Sequence, residues 1–255
     1  GGLLKIVQRT NPFTILPEGH SIRGICMEGS FPYIVGSNTN ILPTLALTYK
    51  FSYSVPTHFT QDEKGHWWIG SINEILLEYI PESKAQKEYL FKEAKVKFYY
   101  PFYNHTANAL WIGTNRGLFI FDRVTEEFQP IPLDISPFDV DIRQIYENEE
   151  GIWIVSNKGL SLLTKKTGQL LEHYDRNNQL PYHNLNYLYE DKEGSFWIAT
   201  KGGGLLKWNR QTNSIQQFQQ EDGLSNNVLY AIYEDDYNNL WLPSNYGLMS
   251  FDKIT

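Results

Sequence analysis

The sequence predicts an all-β protein, a β-propeller built from four-stranded blades. Three observations lead there: a tryptophan motif at a fixed period, an acidic hairpin turn before most copies, and a glycine-leucine pair after most. The motif reads Trp68-Ile-Gly-Ser, Trp111-Ile-Gly-Thr, Trp153-Ile-Val-Ser, Trp197-Ile-Ala-Thr and Trp241-Leu-Pro-Ser, at spacings of 43, 42, 44 and 44 residues. A weaker copy, Tyr33-Ile-Val-Gly-Ser, stands 35 residues before Trp68. Repeats of about 40–45 residues that each hold four short strands are propeller blades; β-helix repeats are shorter and helical solenoids need helices.

Each strand of the repeat can be justified in turn. Strand A, such as Ala231-Ile-Tyr-Glu234, runs into an acidic turn. The turns are Gln61-Asp-Glu-Lys-Gly65, Glu147-Asn-Glu-Glu-Gly151, Glu190-Asp-Lys-Glu-Gly194 and Glu234-Asp-Asp-Tyr-Asn238. Strand B carries the tryptophan. The next turn ends in the pairs of Asn115-Arg-Gly-Leu118, Asn157-Lys-Gly-Leu160, Lys201-Gly-Gly-Gly-Leu205 and Asn245-Tyr-Gly-Leu248. Asp, Asn and Gly supply the caps and positive φ that tight hairpins require. Strand C follows, as in Leu118–Phe121, Leu205–Trp208 and Leu248–Phe251; strand D is Leu170–Tyr174 or Ile215–Phe218. Two segments depart from the pattern. Glu82–Lys95 is polar with a faint helical period and reads as a loop. Tyr99-Tyr-Pro-Phe-Tyr103 reads as strand A in preference to a contact patch, and His105 stands where the other turns place an acid.

The ends suggest an excerpt. Gly2-Leu-Leu-Lys-Ile6 matches Gly204-Leu-Leu-Lys-Trp208, so residues 1–17 are expected to end a preceding blade. Residues 1–255 then form a single propeller, or most of one, with blades around Tyr33, Trp68, Trp111, Trp153, Trp197 and Trp241, six to seven in all, as part of a larger region.

Composition narrows the function. The chain has 29 acidic and 22 basic residues, a net charge of −7, which argues against nucleic-acid contact. No apolar run approaches the roughly 18–20 residues that span a bilayer, so no membrane contact is expected of this segment. One cysteine, Cys26, excludes an internal disulfide and a multi-cysteine zinc site. The acidic turns offer too few oxygens for calcium, which takes about six to eight. No metal or cofactor is expected. Nor does any nucleophile elbow, phosphate loop or paired-histidine motif appear.

A ring recurring at one strand position in every unit is packing between blades, and Trp68, Trp111, Trp153, Trp197 and Trp241 are read as structural anchors. With strands A to D running outward from the axis, D–A connections and B–C turns share one face. Residues that differ between units on that face are the ligand candidates. They are Arg116, Lys158, Lys201 and Tyr246 in B–C turns; Arg23, Arg143, Asn186 and Tyr230 at the start of strand A; and Tyr182 and His183 in a D–A connection. Mixed Arg, Lys, Asn and Tyr suits a polar, even anionic, ligand.

Residues 221–248, from Glu221-Asp-Gly-Leu-Ser-Asn-Asn-Val through Leu-Trp-Leu-Pro-Ser-Asn-Tyr-Gly-Leu248, closely resemble a two-component regulator propeller repeat. Copies ending at Leu118, Leu160 and Leu205 fit the same pattern, with Pro243 a departure where glycine is usual. The resemblance implies the periplasmic sensor region of a hybrid two-component histidine kinase of Bacteroidetes. It further implies an oligosaccharide ligand from complex glycans, control of polysaccharide-utilisation genes, a neighbouring propeller and an immunoglobulin-like domain in the parent, and a homodimer formed through it. The segment itself is not expected to be an enzyme. The alternatives are a protein-interaction or scaffold propeller, for which Tyr99–Tyr103 would be the contact, and a polysaccharide-active enzyme using Tyr182 and His183 with Arg143.

Overall fold

The computed structural model describes residues 22–28, 31–36, 39–41, 56–72, 74–91, 96–133 and 140–253. The expected end of a preceding blade, 1–17, lies outside them. The chain divides into two compact units, 1–103 and 104–255.

The first unit holds a three-stranded antiparallel sheet of β1 (Ile22–Glu28), β2 (Phe31–Gly36) and β3 (Thr39–Ile41). In its register Tyr33 stands opposite Cys26, the place of a strand B residue. The next sheet is β4 (Pro56–Gln61), β5 (Trp67–Ser71), β6 (Ile75–Ile80) and β7 (Ala85–Leu90), paired in that order. Here the reading of Glu82–Lys95 as a loop is corrected. Residues 85–90 pair along the whole of β6, and the polar composition reflects an outer strand whose side chains are mostly solvated.

The strand β8 (Phe98–Asn104) runs across the division and is the edge of a sheet with β9 (Ala109–Thr114), β10 (Gly117–Asp122) and β11 (Glu127–Ile131). Tyr99–Tyr103 is therefore strand, and Pro101 and Tyr103 are buried within it. Two full sheets follow in the second unit. One is β12 (Ile142–Glu147), β13 (Ile152–Ser156), β14 (Gly159–Leu163) and β15 (Leu170–Tyr174). The other is β16 (Leu185–Glu190), β17 (Ser195–Thr200), β18 (Leu205–Asn209) and β19 (Ser214–Phe218). A 3-10 turn, η1 (Gln220–Asp222), leads to a last sheet of β20 (Tyr233–Glu234), β21 (Asn239–Ser244) and β22 (Gly247–Asp252). These four-stranded antiparallel sheets, with strands paired in chain order, are the blades of a β-propeller.

The repeat's chemistry explains its geometry. In the acidic turn one carboxylate does three jobs. Asp191 Oδ1 accepts the amides of Glu193 and Ser195 at 3.0 and 2.9 Å, and Oδ2 accepts the Trp197 indole N–H at 2.7 Å. Asp62 repeats this with Lys64, His66 and Trp68, and Asp235 with Tyr237, Asn239 and Trp241. Asn148 serves Trp153 at 3.2 Å. Trp111, whose turn has His105 instead, leaves a buried indole nitrogen without a hydrogen-bond partner.

The Ser or Thr that closes the tryptophan motif caps the B–C turn. Thr114, Ser156, Thr200 and Ser244 each donate to the carbonyl of the glycine that opens strand C, at 2.8–3.1 Å. That glycine adopts positive φ, 128° at Gly159, where a Cβ would stand 2.1 Å from the Tyr174 carbonyl oxygen. No other residue fits this close approach between strands C and D.

Burial is supplied between blades. Trp153 and Phe196 meet edge to face at 5.1 Å, and one apolar cluster joins Trp153, Val155 and Leu160 to Leu188, Ile198, Leu206 and Trp208 of the following sheet. A second cluster joins Trp197 to Leu240, Leu242 and Phe251. Polar groups cross the same seam. Gln144 exchanges hydrogen bonds with the Leu188 backbone at 3.1 and 2.6 Å, and Tyr146 donates to Glu190 at 2.9 Å. Trp153 and Trp197 thus pack against the following sheet, and a ring of this kind is worth about 3–5 kcal/mol if truncated in a core.

Candidate functional site

The second unit carries an open cleft of about 540 Å³ lined by Lys158, His173, Asp175, Arg176, Asn177 and His183. Lys158 comes from a B–C turn, His173 from the end of β15, and the others from the D–A connection between β15 and β16. The cleft therefore opens on the side that topology reserves for D–A and B–C segments. A shallower hollow of about 420 Å³ lies along the same connection and shares Arg176.

Local hydrogen bonds fix this connection. Asp175 accepts the Asn177 amide at 2.7 Å through Oδ1 and the Asn177 side chain at 2.8 Å through Oδ2. Its backbone carbonyl receives the amides of Asn178, Gln179 and Leu180. The amide bond from Asn177 holds the Asp175 carboxyl below the usual range, and the nearby His173 works in the same direction.

His173 Nδ1 lies 2.9 Å from Ser161 Oγ, and its ring also bonds the Lys158 carbonyl. Burial pushes this histidine below its ordinary pKa, against the pull of Asp175 and the carbonyl. His173 ties β15 to Ser161 of the neighbouring strand β14.

The residues singled out from sequence fall into distinct places. Lys158 and His183 come together in the cleft. Tyr182, beside them in sequence, lies over the following blade's glycine run and donates to the Lys201 carbonyl at 2.9 Å. A Cβ at Gly203 would stand 2.5 Å from its ring, which accounts for glycine there.

Arg143 is occupied elsewhere. Its Nη1 donates to Asn184 Oδ1 at 2.8 Å, to the Leu185 carbonyl at 2.9 Å and to Asn186, and Nη2 meets Asp141 at 3.2 Å. Asn186 donates in turn to the Leu229 carbonyl at 2.6 Å. Both residues tie one blade to the next. Arg116 is exposed beside its capped turn. Lys201, Tyr230 and Tyr246 are exposed, with Tyr230 donating to Asn245. Arg23 lies on β1, and its side chain is outside the described residues.

The enzymatic trio of Tyr182, His183 and Arg143 is not assembled as free groups: the tyrosine hydroxyl and the guanidinium are both taken up by backbone and neighbouring side chains. The cleft residues that sequence reading missed are His173, Asp175, Arg176 and Asn177. Their signal was the polar run Asp175-Arg-Asn-Asn178 between a D strand and an A strand. Among the described residues, no group of three or more His, Cys, Asp or Glu could hold a metal ion.

Comparison with known proteins gives one short repeat match and several likenesses of fold. Residues 223–242 match the family described as two component regulator propeller, and the chain carries that repeat. No curated protein matches it. Among solved structures, the extracellular domain of a protein described as a one component system of B. thetaiotaomicron superimposes with a TM-score of 0.66. It is 21% identical, over 90% of this chain and 32% of its own. The extracellular domain of a hybrid two component system of the same organism gives 0.55 at 20% identity, over 91% of this chain and 41% of its own. Virginiamycin B lyase from Staphylococcus aureus, solved in a catalytically inactive form with quinupristin, gives 0.68 at 14% identity, over 93% and 82%. At these identities the likeness is one of fold. The chain spans about a third to two fifths of the first two proteins.

Proposed function

We propose that this chain, a carrier of two-component regulator propeller repeats, is a ligand-sensing propeller in the extracytoplasmic, periplasmic part of a hybrid two-component sensor kinase. Its ligand is an oligosaccharide released from a complex glycan, and its output controls polysaccharide-utilisation genes. The observation that carries this reading is the repeat matched at residues 223–242. Supporting it is an open polar cleft, with amide, imidazole and cationic groups of the kind that bond sugar hydroxyls, on the face where blades differ.

The segment binds and does no chemistry; phosphoryl transfer belongs to the kinase of the parent. A further propeller and an immunoglobulin-like domain accompany it there, and the parent works as a homodimer. Ligand shifts signalling only by its differential affinity for two arrangements of these parts.

The test is a thermal-shift screen of the full-length protein against neutral and acidic oligosaccharides. A ligand at 100 times its dissociation constant adds about 2.7 kcal/mol, a plain shift. A hit lost on Lys158→Ala or His183→Ala supports binding at this cleft. A hit indifferent to both moves the ligand to another domain. A second reading, a protein-interaction propeller, rests on exposed Tyr233, Tyr237, Tyr246 and Leu248 in the last sheet, and gains if no glycan binds.

A further inference from the structure

Some cations of the second unit are paired with acids: Lys165 meets Glu147 at 3.2 Å, Arg210 meets Glu150 at 2.9 Å beneath an aromatic cage, and Lys253 meets Glu234 at 2.8 Å. Lys158 and Arg176 face the same cleft, and among the described residues neither side chain forms an ion pair or hydrogen bond. The one carboxylate on the cleft wall, Asp175, has both oxygens taken by Asn177. His173 Nδ1 is paired with Ser161 Oγ. Two uncommitted cations and His183 thus converge on one hollow, in a chain whose net charge is −7.

We propose that this cleft is an anion-recognising subsite, which takes the carboxylate or sulfate of an acidic sugar residue within an oligosaccharide. The inference rests on the ligand-sensing reading above and gives that ligand a charge. A guanidinium presents a planar fork that fits carboxylate and sulfate oxygens, and the ammonium of Lys158 adds a second point charge. About 540 Å³ is far more than a bare ion fills, and falls in the range of small-molecule sites. Asn177 and His183 supply the remaining polar wall for sugar hydroxyls.

The experiment is calorimetric titration of the full-length protein with four probes: a tetragalacturonate, the matching neutral galactose tetrasaccharide, a sulfated chondroitin disaccharide, and sodium sulfate alone. The variants are Lys158→Gln with Arg176→Gln, and Lys166→Gln as a charge control on an exposed C–D turn. Among the described residues neither cation's side chain makes an ion pair or hydrogen bond, so the double variant should keep its melting temperature. The expected result is binding of an acidic sugar, weakened about tenfold or more in the double variant and unchanged in Lys166→Gln. Binding should also fall as sodium chloride rises from about 0.05 to 0.3 M. The carboxylate and sulfate arms tell which acidic group is read.

Equal binding of the neutral tetrasaccharide, or neutral-only binding, overturns the anion subsite and leaves the sensor reading intact. Acidic-sugar binding indifferent to the double variant overturns the assignment to this cleft. Sodium sulfate binding as tightly as any sugar reduces the site to a free-ion site and overturns the glycan part. Silence of every sugar overturns this proposal together with the ligand-sensing reading.

Discussion

The sheet β12–β15 and the sheet β20–β22 are copies of one repeat, yet they live in different surroundings. Their local geometry agrees: each tryptophan indole donates to the turn residue before it, Asn148 at 3.2 Å and Asp235 at 2.8 Å, and each B–C turn is capped by a serine. Their burial does not. Trp153 and Leu160 are sealed, while Trp241 is half-buried and Leu248 is 43% exposed. Tyr146 reaches across to Glu190, whereas its counterpart Tyr233 is 55% exposed. Turn and hairpin are properties of the unit itself, and burial is a gift of the sheet that follows. This is the nearest-neighbour energetics of repeat proteins read at the level of single side chains.

Four measurements would break or sharpen that contrast. The largest effect should come from the anchors. Trp153→Ala should cost about 4 kcal/mol in guanidinium denaturation of the full-length protein, and Trp241→Ala about half as much. Equal costs would mean that burial by the following sheet is not what separates them.

Next come the strand C glycines. Both have positive φ, but a Cβ at Gly159 would stand 2.1 Å from the Tyr174 oxygen, while one at Gly247 meets nothing within 4 Å. Gly159→Ala should cost roughly 3 kcal/mol and loosen β15, and Gly247→Ala about 1 kcal/mol, the backbone strain alone. Hydrogen exchange of the β15 amides would separate clash from strain.

Acid should also distinguish the two sheets. Burial keeps His173 neutral below its ordinary pKa of about 6.5, so its contribution is full above that value and drains away as pH falls below it. Asp235 has the same sign but a lower window. Burial opposes its ionisation, but the Trp241 indole and the amides of Asn239 and Tyr237 outweigh it and hold the carboxyl low. Its contribution persists until pH drops below the ordinary carboxyl value of about 3.8–3.9. Between pH 7 and 5, then, the β12–β15 sheet should soften while the last sheet does not. His58, stacked on Tyr100 at 3.7 Å and pushed down to about 3 by burial, contributes in the same window. The informative quantity is therefore the flattening of the pH profile in His173→Gln.

The smallest effect is a gain. Trp111 lacks the acceptor that Asp62, Asp191 and Asp235 give their tryptophans. His105→Asp should raise stability by about 1 kcal/mol, and a loss would show that the three-bond carboxylate needs more than its position in the turn.

The contrast also shows what the sequence could disclose. The Trp motif, the acidic turn and the Gly-Leu pair lie within a dozen residues of each other, and each encodes a local bond, so the blades were legible. Residues 85–90 were not, because an outer strand needs only one partner and tolerates a polar surface on both faces. Variation between units pointed to Lys158 and His183, which meet in the cleft, but equally to Arg143 and Asn186. Those two vary for another reason. Each bridges a seam between blades by donating to a backbone carbonyl of the next one. Arg176 and Asn177 were missed because only the path of the D–A connection brings them beside a turn of the preceding strands.

The carboxylate that holds both its own hairpin and the tryptophan ring makes the units of Trp68, Trp197 and Trp241 self-fastening cassettes. The bond that shapes the turn also aims the ring at the next blade, so a turn that frays releases its seam in the same event. A chain of such cassettes can lengthen or shorten by whole units without a new fastener having to be invented. The same arrangement means that damage at one hairpin is felt by its neighbour before it is felt anywhere else.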